Sequence, residues 1–300
     1  MRKNIFFLIC LALLAGMAVS CPLTQAQSSS APAPAVAEQK RVQDVKFQSK
    51  SLQREMTYRV MLPKDYFKSE NRYPILYLLH GLTGHYKSWE THVDWASYLD
   101  RYRLIVVSIE GENSWFVNSA ANPKEKWEDY LMRDIIDEAE NRFRVNRTES
   151  YRAIAGMSAG GYAAINLALK YPLVFKFAGS FSGSVSITRN PELEKALKDF
   201  GIEAIFGPPN SESRNAYDVF LLAEKAEPAH TSYIYMTCGT EDDTVISNHQ
   251  FADLLRKRHI AYEMREFPGQ HEWSFWSAAL PDMLRALARK MPEMEAAHVE

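Results

Sequence analysis

The segment Tyr151-Arg-Ala-Ile-Ala-Gly156-Met157-Ser158-Ala159-Gly160-Gly161 constrains this chain more than any other. Residues 151–155 are short, mostly apolar and read as a strand. Gly156 to Gly160 fit G-x-S-x-G. Tyr162, Ala163, Ala164, Ile165, Leu167 and Leu169 then read as a helix that stops before Pro172. The bare pattern is weak, since a Gly/Ser turn often carries no chemistry. Its weight comes from the strand before it and the helix after it. A nucleophile elbow holds its serine in a strained turn, which closes only if the residues two before and two after are small. Both are glycine here, and Gly161, Ala163 and Ala164 let the helix approach a sheet closely.

The rest of the chain supplies that sheet. Val42–Gln48 and residues 56–62 alternate apolar and polar side chains, which predicts a half-exposed antiparallel pair. Residues 73–79 and 104–107 are nearly continuous apolar runs, as in strands covered on both faces. Residues 127–143 read as one helix with Leu131, Ile135, Ala139 and Phe143 on a single stripe. Further strands are expected at 174–181, 233–237 and 262–267, and helices at 244–259 and 273–290. The mixed stretch 182–230, broken at Gly207-Pro208-Pro209-Asn210, is long enough to be a lid or binding insertion. Strands alternating with helices imply an α/β fold: a mainly parallel sheet with helices on both faces and an antiparallel N-terminal edge. In such sheets the chemistry gathers at the carboxyl ends of strands. His80, Ser158, the loop at 239–243 and the loop at 268–271 all follow strands.

A serine hydroxyl needs a base to take its proton, and the base is usually a histidine oriented by a carboxylate. Of the histidines after Ser158, His249 and His259 lie on a helix, His298 is in the tail and His230 precedes a strand. His271 follows the last strand, which makes it the expected base. Gly239-Thr240-Glu241-Asp242-Asp243 offers the acid, and position alone does not separate Asp242 from Asp243. Ala159, following the nucleophile, supplies one backbone N–H of an oxyanion hole, and Leu82 in the loop after residue 79 supplies the other. His80 is expected to be structural. Trp89, Trp115, Phe116 and Trp273 fall in loops at the same edge. Their rings are candidates to hold a phenolic or sugar group, with ordinary packing as the alternative.

Four blocks in this order resemble a known family. Leu79-His80-Gly81-Leu82, Gly156 to Gly161, Cys238-Gly239-Thr240-Glu241-Asp242 and Pro268-Gly269-Gln270-His271-Glu272-Trp273 are similar to the esterase D branch of the α/β-hydrolases. That branch includes S-formylglutathione hydrolases, feruloyl, acetylxylan and tributyrin esterases, and mycolyltransferases. The resemblance covers about residues 42–290. It implies an α/β-hydrolase fold and a serine esterase in which Ser158, His271 and Asp242 form the triad. It assigns the oxyanion donors to Leu82 and Ala159. Asp242 is chosen because the family acid lies three residues after the loop glycine. Glu110-Gly111-Glu112-Asn113-Ser114-Trp115 and Trp127-Glu128-Asp129-Tyr130 look most like tributyrin and feruloyl esterases. Asp243 stands where an aromatic residue is common.

Composition bounds the remaining possibilities. The formal charge of −2 gives no electrostatic case for nucleic acid. No metal or cofactor is expected: His271-Glu272 begins like H-E-x-x-H, but Phe275 stands where the second ligand belongs. The expected partner is a small-molecule or carbohydrate ester, and nothing in the sequence speaks to oligomeric state. Arg2, Lys3 and the apolar run from Ile5 to Met17 read as a targeting segment for export. Two processing routes are open. Ala18-Val19-Ser20-Cys21 resembles a lipobox, in which Cys21 is lipidated and tethers the protein to a membrane. Thr24-Gln25-Ala26 instead suits ordinary cleavage. The expected organisation is a signal segment at 1–26, a disordered tether at 27–41, the catalytic domain at 42–290 and a tail at 291–300. Cys238, alone beyond the leader, is expected to be a packed thiol.

Overall fold

The computed structural model describes residues 40–291 and 294, so the leader and nearly all of the tether and tail lie outside the described residues. Eight strands form one sheet: β1 Val42–Gln48, β2 Glu55–Met61, β3 Ile75–Leu79, β4 Ile105–Ile109, β5 Arg152–Met157, β6 Phe177–Phe181, β7 Tyr233–Gly239 and β8 Tyr262–Phe267. Their order is β1-β2-β4-β3-β5-β6-β7-β8. β1 pairs antiparallel with β2, and β2 antiparallel with β4; all other pairs are parallel. This is the expected α/β-hydrolase arrangement with its antiparallel edge.

The period-two alternation of strands divides the core between the two faces. Ile75, Tyr77, Leu79, Ile105, Val107 and Ile154 point to one side. There they meet the helix Ala159–Lys170 and Phe251 and Leu255 of the helix Val245–Lys257. Leu76, Leu78, Val106, Ala153 and Ala155 point to the other. There they meet Trp95 and Leu99 of the helix Trp95–Tyr102, and Trp276, Leu280 and Met283 of the closing helix Trp273–Lys290. β3 and β4 are buried along their whole length, which is why their sequences read as nearly continuous apolar runs, broken only by Ser108.

Two expectations change in detail. The single helix expected at 127–143 is a short turn Trp127–Asp129, a π-helical stretch Tyr130–Ile135 and a helix Ile136–Arg142. The Ile136 N–H reaches back to the Leu131 carbonyl, five residues away, and this wider turn keeps Leu131, Ile135, Ala139 and Phe143 buried together. The stretch 182–230 is not a free flap. Phe206, Tyr217 and Val219 join the core, and the Tyr217 carbonyl accepts from Tyr162 Oη at 2.6 Å and Asn166 Nδ2 at 3.2 Å. It roofs the elbow helix, whose residues 159–169 are consequently all buried.

Candidate active site

The parallel register brings five strand ends level. Leu79 lies opposite Gly156, Met157 opposite Phe181, Phe181 opposite Thr237 and Gly239 opposite Phe267. The loops that leave β3, β5, β7 and β8 therefore converge.

Ser158 occupies the turn between β5 and the elbow helix, with φ 53° and ψ −118°. A left-handed, non-glycine residue of this kind costs on the order of 1–3 kcal/mol and persists only where its surroundings hold it. Three backbone hydrogen bonds hold it. The Ser158 N–H donates to Phe181 O at 2.8 Å, and the Ser158 carbonyl accepts from Tyr162 N at 3.0 Å and Ser184 N at 3.2 Å. Small residues make the turn feasible. A Cβ on Gly156 would lie 2.5 Å from the Gly160 backbone, and a Cβ on Gly160 would lie 2.5 Å from the His80 carbonyl.

His271 Nε2 is 2.9 Å from Ser158 Oγ, and His271 Nδ1 is 3.0 and 3.1 Å from the two carboxylate oxygens of Asp242. The ring links a hydroxyl on one side to a carboxylate on the other. A third of the His271 side chain is exposed, whereas the Asp242 side chain is wholly buried. Burial pushes the Asp242 carboxyl up, but hydrogen bonds from His271, Ser182 and Thr244 outweigh it and hold the group at about 2. The acid and base loops are pressed together: a Cβ on Gly239 would meet Gly269 O at 2.2 Å, and the Glu241 N–H donates to that carbonyl at 3.0 Å. Asp243 and Glu241 face solvent. Packing thus separates the two aspartates that position left open.

The loop after β3 lies directly on the serine, with the position of a Gly81 Cβ only 3.2 Å from Ser158 Cβ. Among the described residues, neither the Leu82 N–H nor the Ala159 N–H donates to a protein acceptor. Two backbone donors beside a nucleophile are what an oxyanion requires. A cavity of about 210 Å³ is lined by Glu112, Asn113, Ser114, Val117, Trp127 and Ile205 among others, and it contains none of Ser158, Asp242 or His271. A larger groove of about 610 Å³, between β1 and the Trp127–Arg142 region, contains none of Ser158, Asp242 or His271.

The tryptophan expectations need correction. Trp89 is fully buried, its Nε1 donating to Leu79 O at 2.8 Å. Trp115 is 1% exposed and wedged edge-on against Tyr162 and Phe206, and Phe116 is 2% exposed. As placed, none of the three offers a ring face to a ligand. Trp273 is half-buried and stacks on His92 with ring centroids 4.0 Å apart.

Sequence reasoning missed three partners of the acid and base. Thr244 donates to Asp242 Oδ1 through its N–H at 2.8 Å and its Oγ1 at 2.7 Å. The Asp-x-Thr spacing is a signal for this turn-type bond. Ser182 sits beside the same carboxylate and accepts from Trp276 Nε1 at 3.0 Å, while the Trp276 ring stands edge-on to His271 at 5.1 Å. No local pattern announces those contacts.

Known proteins resemble this chain over the same region. An acetyl esterase of Caldicellulosiruptor saccharolyticus is 28% identical over 252 residues, covering 79% of this chain and 94% of the relative. A diacylglycerol acyltransferase/mycolyltransferase of Mycobacterium leprae is 26% identical over 255 residues, covering 72% of this chain and 77% of that one. The structure of a fluorophosphonate-binding serine hydrolase of Staphylococcus aureus superposes with a TM-score of 0.73 at 23% identity, over 83% of this chain and 98% of the other, a likeness of fold. Residues 49–287 match the esterase family model, and the chain belongs to that family, as a carboxylic ester hydrolase on an α/β-hydrolase fold.

Proposed function

We propose that the protein is an exported serine esterase that cleaves carboxylic esters through an acyl-enzyme, taking short acyl groups or acetyl and feruloyl groups carried on carbohydrates. The observation that carries this reading is the continuous line from Ser158 Oγ through the His271 ring to Asp242. Ser158 Oγ attacks the ester carbonyl while His271 Nε2 takes its proton. The negative charge that develops on the carbonyl oxygen is met by the Leu82 and Ala159 N–H groups. His271 returns the proton to the departing alkoxide, and the alcohol leaves. Water, deprotonated by the same nitrogen, then releases the acid and restores Ser158. Asp242 accepts from Nδ1–H throughout and holds the ring in the tautomer that leaves Nε2 free.

The substrate range is read from the acetyl esterase relative and from the open, partly exposed site. A panel of esters of graded acyl length, with methyl ferulate and acetylated xylan, tests it. Turnover on at least one member is expected, together with labelling by a fluorophosphonate. A folded protein inert to both would overturn the reading. Acyl transfer is the second reading, favoured by the mycolyltransferase relative. It replaces water with another alcohol on the same triad, and product analysis with added glycerol separates the two.

Export rests on the charged start, the apolar run and the polar stretch that follows, all outside the described residues. If Cys21 is lipidated, Cys21→Ser should abolish both a lipid mass gain and membrane association. A mature chain beginning near Gln27 would place the protein as soluble. Full-length cytoplasmic protein would refute export by either route.

A further inference from the structure

We propose that His80 and Asn113 are positioning residues that aim the Leu82 N–H at the oxyanion by pinning the peptide groups on either side of Leu82. The inference rests on the serine esterase reading and deepens it.

The argument begins with the planarity of the peptide. In a trans peptide the carbonyl oxygen and the amide hydrogen point in opposite directions, so fixing one fixes the other. The Leu82 N–H belongs to the same plane as the Gly81 carbonyl. That carbonyl is held twice: His80 Nδ1 lies 2.7 Å from Gly81 O, and the Gly84 N–H donates to it at 3.1 Å. A carbonyl oxygen has only lone pairs, so Nδ1 must carry the hydrogen. The Leu82 N–H is thereby turned away from the His80 ring. The next plane is held from outside the loop, where the Thr83 N–H donates to Asn113 Oδ1 at 2.8 Å. Thr83 sits at φ 62°, a left-handed conformation that this bond helps to maintain.

His80 is itself fixed by the loop that follows β4. The residue is 1% exposed, its ring packs against Phe116 at 5.5 Å, and its Nε2 accepts from the Gly111 N–H at 3.0 Å. Glu110 ties this loop further, accepting from the N–H groups of Gly111 at 3.1 Å, Glu112 at 2.9 Å and Tyr86 at 3.2 Å. A Cβ on Gly111 would lie 2.3 Å from the Phe116 ring, so the loop has no room for a larger residue at that point. The Glu110–Asn113 stretch thus acts as a template against which the oxyanion loop is set.

The test compares His80→Asn, His80→Gln and Asn113→Ala with the wild type. An asparagine amide nitrogen can occupy the place of Nδ1, whereas a glutamine amide reaches the place of Nε2 and leaves Gly81 O without its ring donor. His80→Gln is expected to lose about 10²-fold in kcat, approaching removal of an oxyanion donor, with KM within about threefold. His80→Asn should recover to within about tenfold of wild type, and Asn113→Ala should lose about tenfold. A trifluoromethyl ketone, which binds as a tetrahedral adduct, should weaken in proportion to kcat/KM in each variant. Asn113 is on the surface, so its variant keeps the test open if a His80 variant fails to fold. Folded His80→Gln and Asn113→Ala proteins with wild-type kcat would overturn the inference. So would a loss of kcat with unchanged ketone affinity. Failure of the wild type itself to hydrolyse any ester would instead overturn the proposed function, and this inference with it.

Discussion

Ser158→Ala is expected to stay folded and to lose ester hydrolysis by at least about 10⁴-fold, since removing the nucleophile of a comparable triad costs about 10⁶ in kcat. The fold should survive because alanine keeps the Cβ and all three backbone bonds that hold the left-handed turn. Chemistry should not survive, because no neighbouring group can replace the hydroxyl. Cys238 is the chain's single thiol beyond the leader. It is fully buried, and burial pushes it up to about 12. It therefore supplies almost no thiolate near neutrality. Whatever rate remains reflects the oxyanion donors acting on a water. Fluorophosphonate labelling should disappear with the hydroxyl. A folded Ser158→Ala protein within tenfold of wild-type kcat/KM would sink the mechanism.

How far the sequence reveals this molecule depends on whether a feature is local. β3 and β4 were legible because a strand buried on both faces is apolar at nearly every position, Ser108 being the one polar residue in the pair. Ser158 and His271 were legible because each stands in a loop whose preceding strand can be read, and parallel strands bring such loops together. The loop tryptophans were not. Whether Trp89 faces a ligand or the interior depends on an acceptor ten residues back in the chain, the Leu79 carbonyl, and no periodicity encodes that meeting. The π-helical stretch Tyr130–Ile135 was hidden because one extra residue in a turn barely disturbs an apolar stripe. The His80–Gly111 and Thr83–Asn113 contacts join two loops about thirty residues apart, so they exist only once the sheet has formed.

Asp242→Asn is expected to lose about 10³–10⁴ in kcat/KM, and Asp243→Asn at most several-fold. The family pattern favours Asp242, and the geometry supplies a reason independent of it. Thr244 donates to Asp242 Oδ1 from both its N–H and its hydroxyl, so that position must remain an acceptor. In the asparagine variant the amide oxygen takes it, which leaves the NH₂ facing His271 Nδ1 where the second carboxylate oxygen had been, at 3.0 Å. Nδ1 must then accept, the ring hydrogen moves to Nε2, and Nε2 points that hydrogen at Ser158 instead of a lone pair. The base is present and correctly placed, but in the wrong tautomer. Asp243 is exposed, and its side chain makes no such contact with the base. A second consequence concerns stability. The Asp242 carboxyl falls from an ordinary 3.8 to about 2 in the folded protein. A depressed carboxylate stabilises the fold fully above its unfolded value and loses that contribution as pH falls through the folded one. The ionised group thus contributes about 2 kcal/mol above roughly pH 4, and this fades toward roughly pH 2. Thermal melts of wild type and Asp242→Asn should therefore draw together on acidification across that window. A crippled Asp243→Asn beside a mild Asp242→Asn would move the acid by one residue. Two mild variants would place it elsewhere, with Glu241 next in line.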